Sequence, residues 1–131
     1  MEKINKTQKL VFELMKRATF NEFNGKKVVK DLIENKDLWR SVVMDREAYS
    51  PYNESELVIS LIKLRDLEQD VYNVDTVFIL PAEGDEVMRK LEKLAQNWNA
   101  DEIVWITGRE ANRCLGIGGF KDKKILRIWW D

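Results

Sequence analysis

The stretch that decides the fold runs from residues 76–80 (TVFIL) to Glu102–Ile106 (EIVWI), with the segment 85–98 (DEVMRKLEKLAQNW) between them. The two short runs are rich in β-branched and aromatic residues, which favour strands. The segment between them has apolar residues at helical spacing. These are Val87, Leu91, Leu94 and Trp98. Strands that are apolar on both faces and alternate with helices are typical of α/β proteins, in which helices cover both sides of the sheet.

Two helices are predicted before this unit. Residues 6–18 and 26–35 each place their apolar residues on one face and their charged residues on the other. Residues 38–44 (LWRSVVM) then predict a strand, followed by a loop. Residues 54–72 again have apolar residues at helical spacing. Because the run 57–62 (LVISLI) within them is equally compatible with a strand, this segment is ambiguous, and we favour a helix.

A last strand is predicted at residues 125–130 (ILRIWW), after a short helix that begins near Thr107 and ends at Gly116. Thr107 and Glu110 have the spacing of a capping box. The expected architecture is a single α/β domain over residues 1–131. Two N-terminal helices precede a β-α-β-α-β-α-β unit, whose four-stranded sheet is mostly parallel or mixed and has helices on both faces. The orientation of the last strand stays open.

The composition is that of a soluble globular protein, with 44% hydrophobic and 34% charged residues. The single cysteine, Cys114, cannot form an intramolecular disulfide, so nothing in the sequence requires an oxidising compartment. The first residues lack the apolar core of a secretory signal, and no apolar run approaches the roughly 18 residues of a membrane span. We therefore expect a cytoplasmic protein with no membrane partner.

Positive charge is concentrated in the first third of the chain. Residues 1–46 contain 11 Lys and Arg against 7 Asp and Glu, whereas the remainder contains 11 against 16. The two parts can balance each other within one molecule, and we favour this interpretation over an acidic partner. A nucleic-acid binder that uses the basic helices at residues 6–35 is the weakest alternative, because no base-reading helix stands out.

The absence of histidine excludes several kinds of site. Ser-His-Asp and Cys-His catalysis and His-ligated zinc sites all need this side chain. A single cysteine cannot build a closed thiolate metal site either. We therefore predict no catalytic residue, no metal ligand and no cofactor, and we favour a protein without enzymatic activity.

Cys114 has two interpretations. Arg109 and Arg113 lie near it in the sequence, and positive neighbours lower the pKa of a thiol and make it a nucleophile. The alternative is a small, buried residue on the inner face of a short helix. We favour the second interpretation because no partner base is present.

Candidate ligand-binding residues follow from position rather than from a motif. Ligands of open α/β sheets bind beyond the carboxyl ends of the strands, so the loops that emerge there are candidates. Arg109 is the leading one, since its planar fork can hold a carboxylate or phosphate through two hydrogen bonds. A solvated arginine, or an ion pair with an acid of a neighbouring loop, is the alternative. The candidate residues are Arg46, Glu83, Asp85, Thr107, Gly108 and Arg109.

Five tryptophans are many for a chain of 131 residues. In the last strand, alternation places Trp129 and Trp130 on opposite faces, so one of them can mark an interface. We favour a non-catalytic binding or protein-interaction module, either a homodimer that pairs through the C-terminal strand or a subunit that binds another protein. The alternative is a small enzyme or ligand sensor that binds an anionic small molecule at the strand-end loops.

Overall fold

A computed structural model describes residues 3–20, 22–49, 57–60, 62–116 and 123–131. The α-helices in this part of the chain are α1 (Lys6–Arg17), α2 (Gly25–Glu34), α3 (Leu64–Glu68), α4 (Asp85–Ala95) and α5 (Gly108–Leu115). The strands are β1 (Thr19–Phe20), β2 (Phe23–Asn24), β3 (Trp39–Tyr49), β4 (Leu57–Ser60), β5 (Thr76–Pro81), β6 (Glu102–Ile106) and β7 (Ile125–Trp129). Short 3₁₀ turns at Lys36–Leu38 and Gln96–Trp98 follow α2 and α4. None of the described helices is long and apolar enough to cross a membrane.

The central sheet contains four strands in the order β3-β5-β7-β6, and every neighbouring pair is antiparallel. β4 extends the sheet by pairing with the last residues of β3, from Arg46 to Tyr49. β1 and β2 form a separate two-stranded ladder between α1 and α2. The mixture of helices and strands was predicted, and so were the two N-terminal helices.

The predicted parallel or mixed sheet is wrong. The helix α4 does connect β5 and β6 so that they run in the same direction, as a β-α-β unit requires. However, β7 lies between them and is antiparallel to both. The last strand of the chain therefore separates two strands that would otherwise be parallel neighbours.

The predicted helix at residues 54–72 is also wrong. Leu57–Ser60 forms β4, and the helix α3 covers only Leu64–Glu68. The physical reason is that β3 continues to Tyr49, beyond the predicted residues 38–44, and offers its backbone to β4. The loop predicted at residues 45–53 is therefore wrong for residues 45–49, which belong to β3. Residues 50–53 of that loop and residues 54–56 and 61 of the predicted helix lie outside the described residues.

The main hydrophobic core lies between one face of the sheet and the helices α1, α2 and α4. Phe12 and Leu32 from the helices pack in the same cluster as Ile79 and Ile128 from the central strands, and each is at most 2% exposed. A smaller, separate cluster joins Phe78 and its strand neighbours to the short helix α5. Among the described helices, only the short α5 contributes residues to that second cluster. The prediction that helices cover both faces of the sheet is therefore not confirmed.

Three buried tryptophans connect the sheet, the helices and the end of the chain. The indole N–H of Trp39 donates to the carbonyl of Leu32 at 2.7 Å, and that of Trp98 donates to the Asp31 carboxylate at 2.9 Å. The indole N–H of Trp130 donates to the carbonyl of Trp98 at 3.0 Å. All three rings are at most 2% exposed. Each ring thus buries apolar area while its one polar group is satisfied.

The outer edge of β3 is closed by side chains as well as by β4. The Gln8 carboxamide donates to the carbonyl of Val42 at 2.7 Å and accepts from the Val42 N–H at 2.9 Å, as a neighbouring strand would. The Tyr72 hydroxyl donates to the carbonyl of Met44 at 3.2 Å. From Arg46 onward, β4 takes over the pairing. An edge strand with its polar groups satisfied in this way is protected against pairing with another chain.

We expect Gln8→Leu to destabilise the protein by about 1–3 kcal/mol, because it keeps the buried volume but removes both partners of the Val42 backbone. The free energy of unfolding from chemical denaturation measures this loss. Lys9→Ala, at an exposed position of the same helix, is the control. A loss no larger than that of the control would contradict the proposed closing role of Gln8.

Candidate functional site

The antiparallel order brings four chain segments together at one end of the sheet, which we call the Pro81 end. β5 finishes there at Pro81, and β6, which runs in the same direction, finishes there at Ile106. β3 and β7 are antiparallel to them, so the start of each strand lies at the same end. The register confirms this arrangement, since Trp39 is paired with Pro81 and Ile106 with Ile125.

Five of the six candidate ligand-binding residues lie at the Pro81 end. Glu83 and Asp85 follow β5 directly, and residues 107–109 follow β6. The sixth, Arg46, lies at the opposite end of the sheet, because the neighbouring Asp45 is paired with Thr76 at the start of β5. The expectation that all six residues emerge at one end is therefore wrong for Arg46.

A surface depression of about 470 Å³ lies beside the end of β5. One side of it is formed by residues 80–85, and the other side includes Lys123 and Lys124, which precede β7. The Lys123 ammonium lies 3.7 Å from the Glu83 carboxylate. Glu83 therefore pairs with Lys123 rather than with Arg109. Arg109 does not line this depression, nor the second one described below.

A second depression of about 480 Å³ shares Ala82 and Glu83 with the first. Its remaining lining comes from residues around the start of β3, which are Lys36, Asp37, Trp39 and Arg40. The Lys36 ammonium lies 4.3 Å from the centre of the Trp39 ring and donates to the Trp39 carbonyl at 3.2 Å. Together the two depressions have both cationic and acidic walls.

Sequence reasoning missed Lys36 and Arg40 because they precede a strand rather than follow one. Only the antiparallel orientation of β3 brings its start beside the end of β5. The basic residues around the start of β3 were a visible signal in the sequence. Without the strand order, however, nothing connected them to Glu83.

The predicted capping box at α5 is wrong. Thr107 occupies the N-cap position of α5, but its side chain makes no capping hydrogen bond. Gly108 follows with φ of 62°, a left-handed conformation that disfavours other residues. At the other end of α5, the prediction that Gly116 ends the helix is confirmed, since its φ is 75° and its N–H bonds back into the last turn. Two further glycines follow in the sequence at positions 118 and 119, and they lie outside the described residues.

Cys114 lies on α5, partly buried beside the smaller hydrophobic cluster. Burial raises the pKa of its thiol, and the nearby Glu110 carboxylate raises it further. Because the thiolate is the reactive form, both effects act against nucleophilic chemistry at neutral pH. The geometry therefore favours the packing interpretation of Cys114.

The other edge of the sheet is formed by β6, and it differs from the β3 edge. In the described part of the chain no strand pairs with the outer side of β6. β6 has no Pro, no Gly and no Lys, and its pairing with β7 shows no bulge. Its one charged side chain, Glu102, is 3.3 Å from Arg127 of β7, so this acid is already engaged within the sheet. β6 thus lacks the devices that usually protect an edge strand.

The C-terminal strand cannot provide the predicted pairing with a second copy. β7 is hydrogen-bonded to β5 on one side and to β6 on the other, so neither of its edges is free. The two terminal tryptophans differ in burial. Trp130 is 1% exposed, and the centre of its ring lies 4.6 Å from the centre of the Phe23 ring, whereas Trp129 is partly exposed. Within the described residues, the two outermost strands are the four-residue β4 at one side and β6 at the other, and β6 is the longer of the two.

No family model, curated protein or solved structure matches this chain.

We expect the Cys114 thiol to react with iodoacetamide more slowly at neutral pH than a free cysteine does, because its raised pKa lowers the thiolate fraction. The pH dependence of the alkylation rate of the folded protein measures this shift, and the urea-unfolded protein is the reference. Glu110→Gln should lower the apparent pKa of the Cys114 thiol toward the ordinary value for cysteine, because it removes the nearby negative charge. If the apparent pKa of the thiol in the folded protein were equal to or lower than that in the unfolded protein, the nucleophilic interpretation would be restored.

Proposed function

We propose that this protein is a non-catalytic interaction module that associates with a second copy of itself through the open edge of β6. The observation that carries this proposal is the contrast between the two edges of one sheet. The backbone of β3 is held on its outer side by Gln8, by Tyr72 and then by the short strand β4, whereas no side chain or strand of the described residues closes the outer side of β6. An exposed strand edge offers a row of backbone donors and acceptors to another strand.

The sequence of β6 suits antiparallel pairing with itself. In a two-fold symmetric pair centred on Val104, Ile103 of one copy lies opposite Trp105 of the other. Glu102 then lies opposite Ile106, so that the two acids do not face each other. Cross-strand pairs of apolar and aromatic residues stabilise a sheet by roughly 0.2–1 kcal/mol each. Such a pair would join two sheets into one continuous sheet.

The size of this contact sets its expected strength. A strand of five residues is about 17 Å long, so edge pairing alone gives a contact at the small end of protein interfaces. Val104 is 37% exposed and adds apolar area to the contact. We therefore expect association that depends on protein concentration rather than a permanent dimer.

We expect Val104→Lys to weaken dimerisation by at least about tenfold, because it places two ammonium groups opposite each other across the pair. Val43→Lys is the matched control. Val43 is also an exposed valine, at 46%, but it lies on β3, which is separated from β6 by the strands β5 and β7. Sedimentation or light scattering over a range of concentrations up to about 0.5 mM measures both variants beside the wild type.

A wild-type protein that stays monomeric over this range would reject self-association through β6. A dimer that both lysine variants weaken equally would also reject the proposal, because it would place the contact away from the β6 edge. Circular dichroism of each variant establishes that the fold is retained.

The Pro81 end supports a second candidate function, the binding of an anionic small molecule. The supporting observation is that two adjoining depressions there collect Lys36, Arg40, Lys123 and Lys124. Ammonium and guanidinium groups hold carboxylates and phosphates through charge-assisted hydrogen bonds. The acids Asp37, Glu83 and Asp85 in the same walls favour a ligand that also carries a donor or a positive group.

If this second candidate is right, a panel of phosphorylated and dicarboxylate metabolites will include compounds that raise the Tm by a few degrees in a concentration-dependent way. The double variant Arg40→Gln with Lys124→Gln should lose the shift. Arg89→Gln on α4, an exposed arginine that lines neither depression, is the control. Arg109→Gln shows in addition whether the ligand reaches the loop after β6. A panel without any concentration-dependent shift would contradict ligand binding at this end.

A further inference from the structure

The outer face of α1 carries two exposed leucines one helical turn apart. Leu10 is 67% exposed and Leu14 is 43% exposed, although α1 already buries another face in the core through Phe12 and Met15. The two leucines line a surface depression of about 760 Å³ that extends to Lys26 at the start of α2. We call this depression the α1 groove.

The rim of the α1 groove is positively charged. Lys16, Arg17 and Lys26 contribute three cations, and Glu13 contributes the one acid. The Lys16 ammonium is 2.9 Å from Glu13, and the Arg17 guanidinium holds Asp70 through two hydrogen bonds of 2.9 and 3.0 Å. Lys26 forms no ion pair within the described part of the chain. Within the described residues, an apolar floor bordered by the unpaired ammonium group of Lys26 is therefore available to a partner.

We propose that the α1 groove binds an acidic amphipathic helix of another protein. Apolar side chains one turn apart on such a helix would pack on Leu10 and Leu14, as in other helix-in-groove complexes. Acidic side chains flanking them would meet the ammonium group of Lys26, which gives the groove its preference for one sign of charge. The partner is defined by this chemistry, with two apolar anchors and an acidic border.

Two other kinds of partner fit the groove less well. A nucleic-acid backbone gains from the cations but not from the exposed leucines. A helix that lies in a membrane interface needs a continuous apolar face. The continuous apolar face of α1 is the buried one, through Phe12 and Met15.

The α1 groove is separate from the β6 edge. α1 closes the β3 edge through Gln8, and two strands lie between β3 and β6 in the sheet. Binding at the groove and pairing at β6 are therefore expected to be independent. Loss of one by mutation should leave the other unchanged.

The test uses a synthetic helical peptide about four turns long, with leucines on one face and glutamates flanking them, titrated into the full chain. A scrambled peptide of the same composition is the first control. We expect the double variant Leu10→Gln with Leu14→Gln to weaken binding about tenfold or more, because it removes the apolar floor while keeping two good helix formers. Leu67→Gln, at a leucine of α3 that is 50% exposed, is the matched control.

The charge on the rim is tested separately. Lys26→Glu should weaken binding of the acidic peptide and reduce the dependence of its Kd on salt, whereas Lys63→Glu, at another exposed lysine, should do neither. The Val104→Lys variant should bind the peptide with the same Kd as the wild type. This result would show that peptide binding does not depend on dimerisation through β6.

Three results would overturn the proposal. The first is no detectable binding of the acidic peptide up to about 1 mM. The second is equal binding of the scrambled peptide. The third is binding to phosphatidylserine vesicles or to duplex RNA that the leucine and Lys26 variants abolish while peptide binding is unaffected, which would assign this face to a membrane or to a nucleic acid.

Discussion

Indole hydrogen bonds hold the helical layer in place against the sheet, and the remaining architecture depends on them. Trp39 at the start of β3 and Trp98 after α4 both donate to the end of α2, so this one helix is held from two directions. Trp130 then fixes the end of the chain to the Trp98 carbonyl. A buried N–H left without its acceptor costs about 1–3 kcal/mol. The position of α2 is thereby coupled to β3, to the turn after α4 and to the residue that follows β7.

The insertion of β7 between β5 and β6 decides what lies at each boundary of the sheet. It uses both sides of β7 for pairing and leaves β6 at an edge. It also places Lys123 and Lys124 at the Pro81 end, between the loops that follow β5 and β6. Both proposed functions of the sheet, self-association and ligand binding, thus depend on where the last strand enters.

Local periodicity predicted those elements that bury a single face. The helices α1, α2 and α4 were predicted because their apolar residues recur at helical spacing and meet the core on one side. The short helix α5 was predicted instead from the spacing of Thr107 and Glu110 and from Gly116 at its end. The prediction failed where pairing, rather than apolarity, supports an element. The second half of β3 contains polar residues such as Asp45 and Arg46, and it remains a strand because β4 and β5 hydrogen-bond to it. The strand run within residues 57–62 was visible, but its partner was not.

The candidate site was predictable only in part for the same reason. Glu83 and Asp85 were named because residues that follow a strand emerge at its carboxyl end. Lys36 and Arg40 precede a strand, so their place beside Glu83 depends on strand direction, which is set by contacts between segments distant in sequence. The open β6 edge was equally hidden, because β6 is apolar enough to resemble a central strand. Edge position is a property of the strand order and not of the five residues themselves.

The two unequal edges of this sheet make the chain resemble a monofunctional unit in polymer chemistry. A unit with two reactive ends grows into a chain, whereas a unit with one reactive end stops after a single step. If two copies join at β6, each outer boundary of the joined sheet consists of the four-residue strand β4 and of the part of β3 whose backbone is held by the Gln8 carboxamide and the Tyr72 hydroxyl. The Gln8 carboxamide, on a helix that is not part of the sheet, would then act as a chain terminator along the first half of β3, which leaves only the short strand β4 for further addition at that boundary.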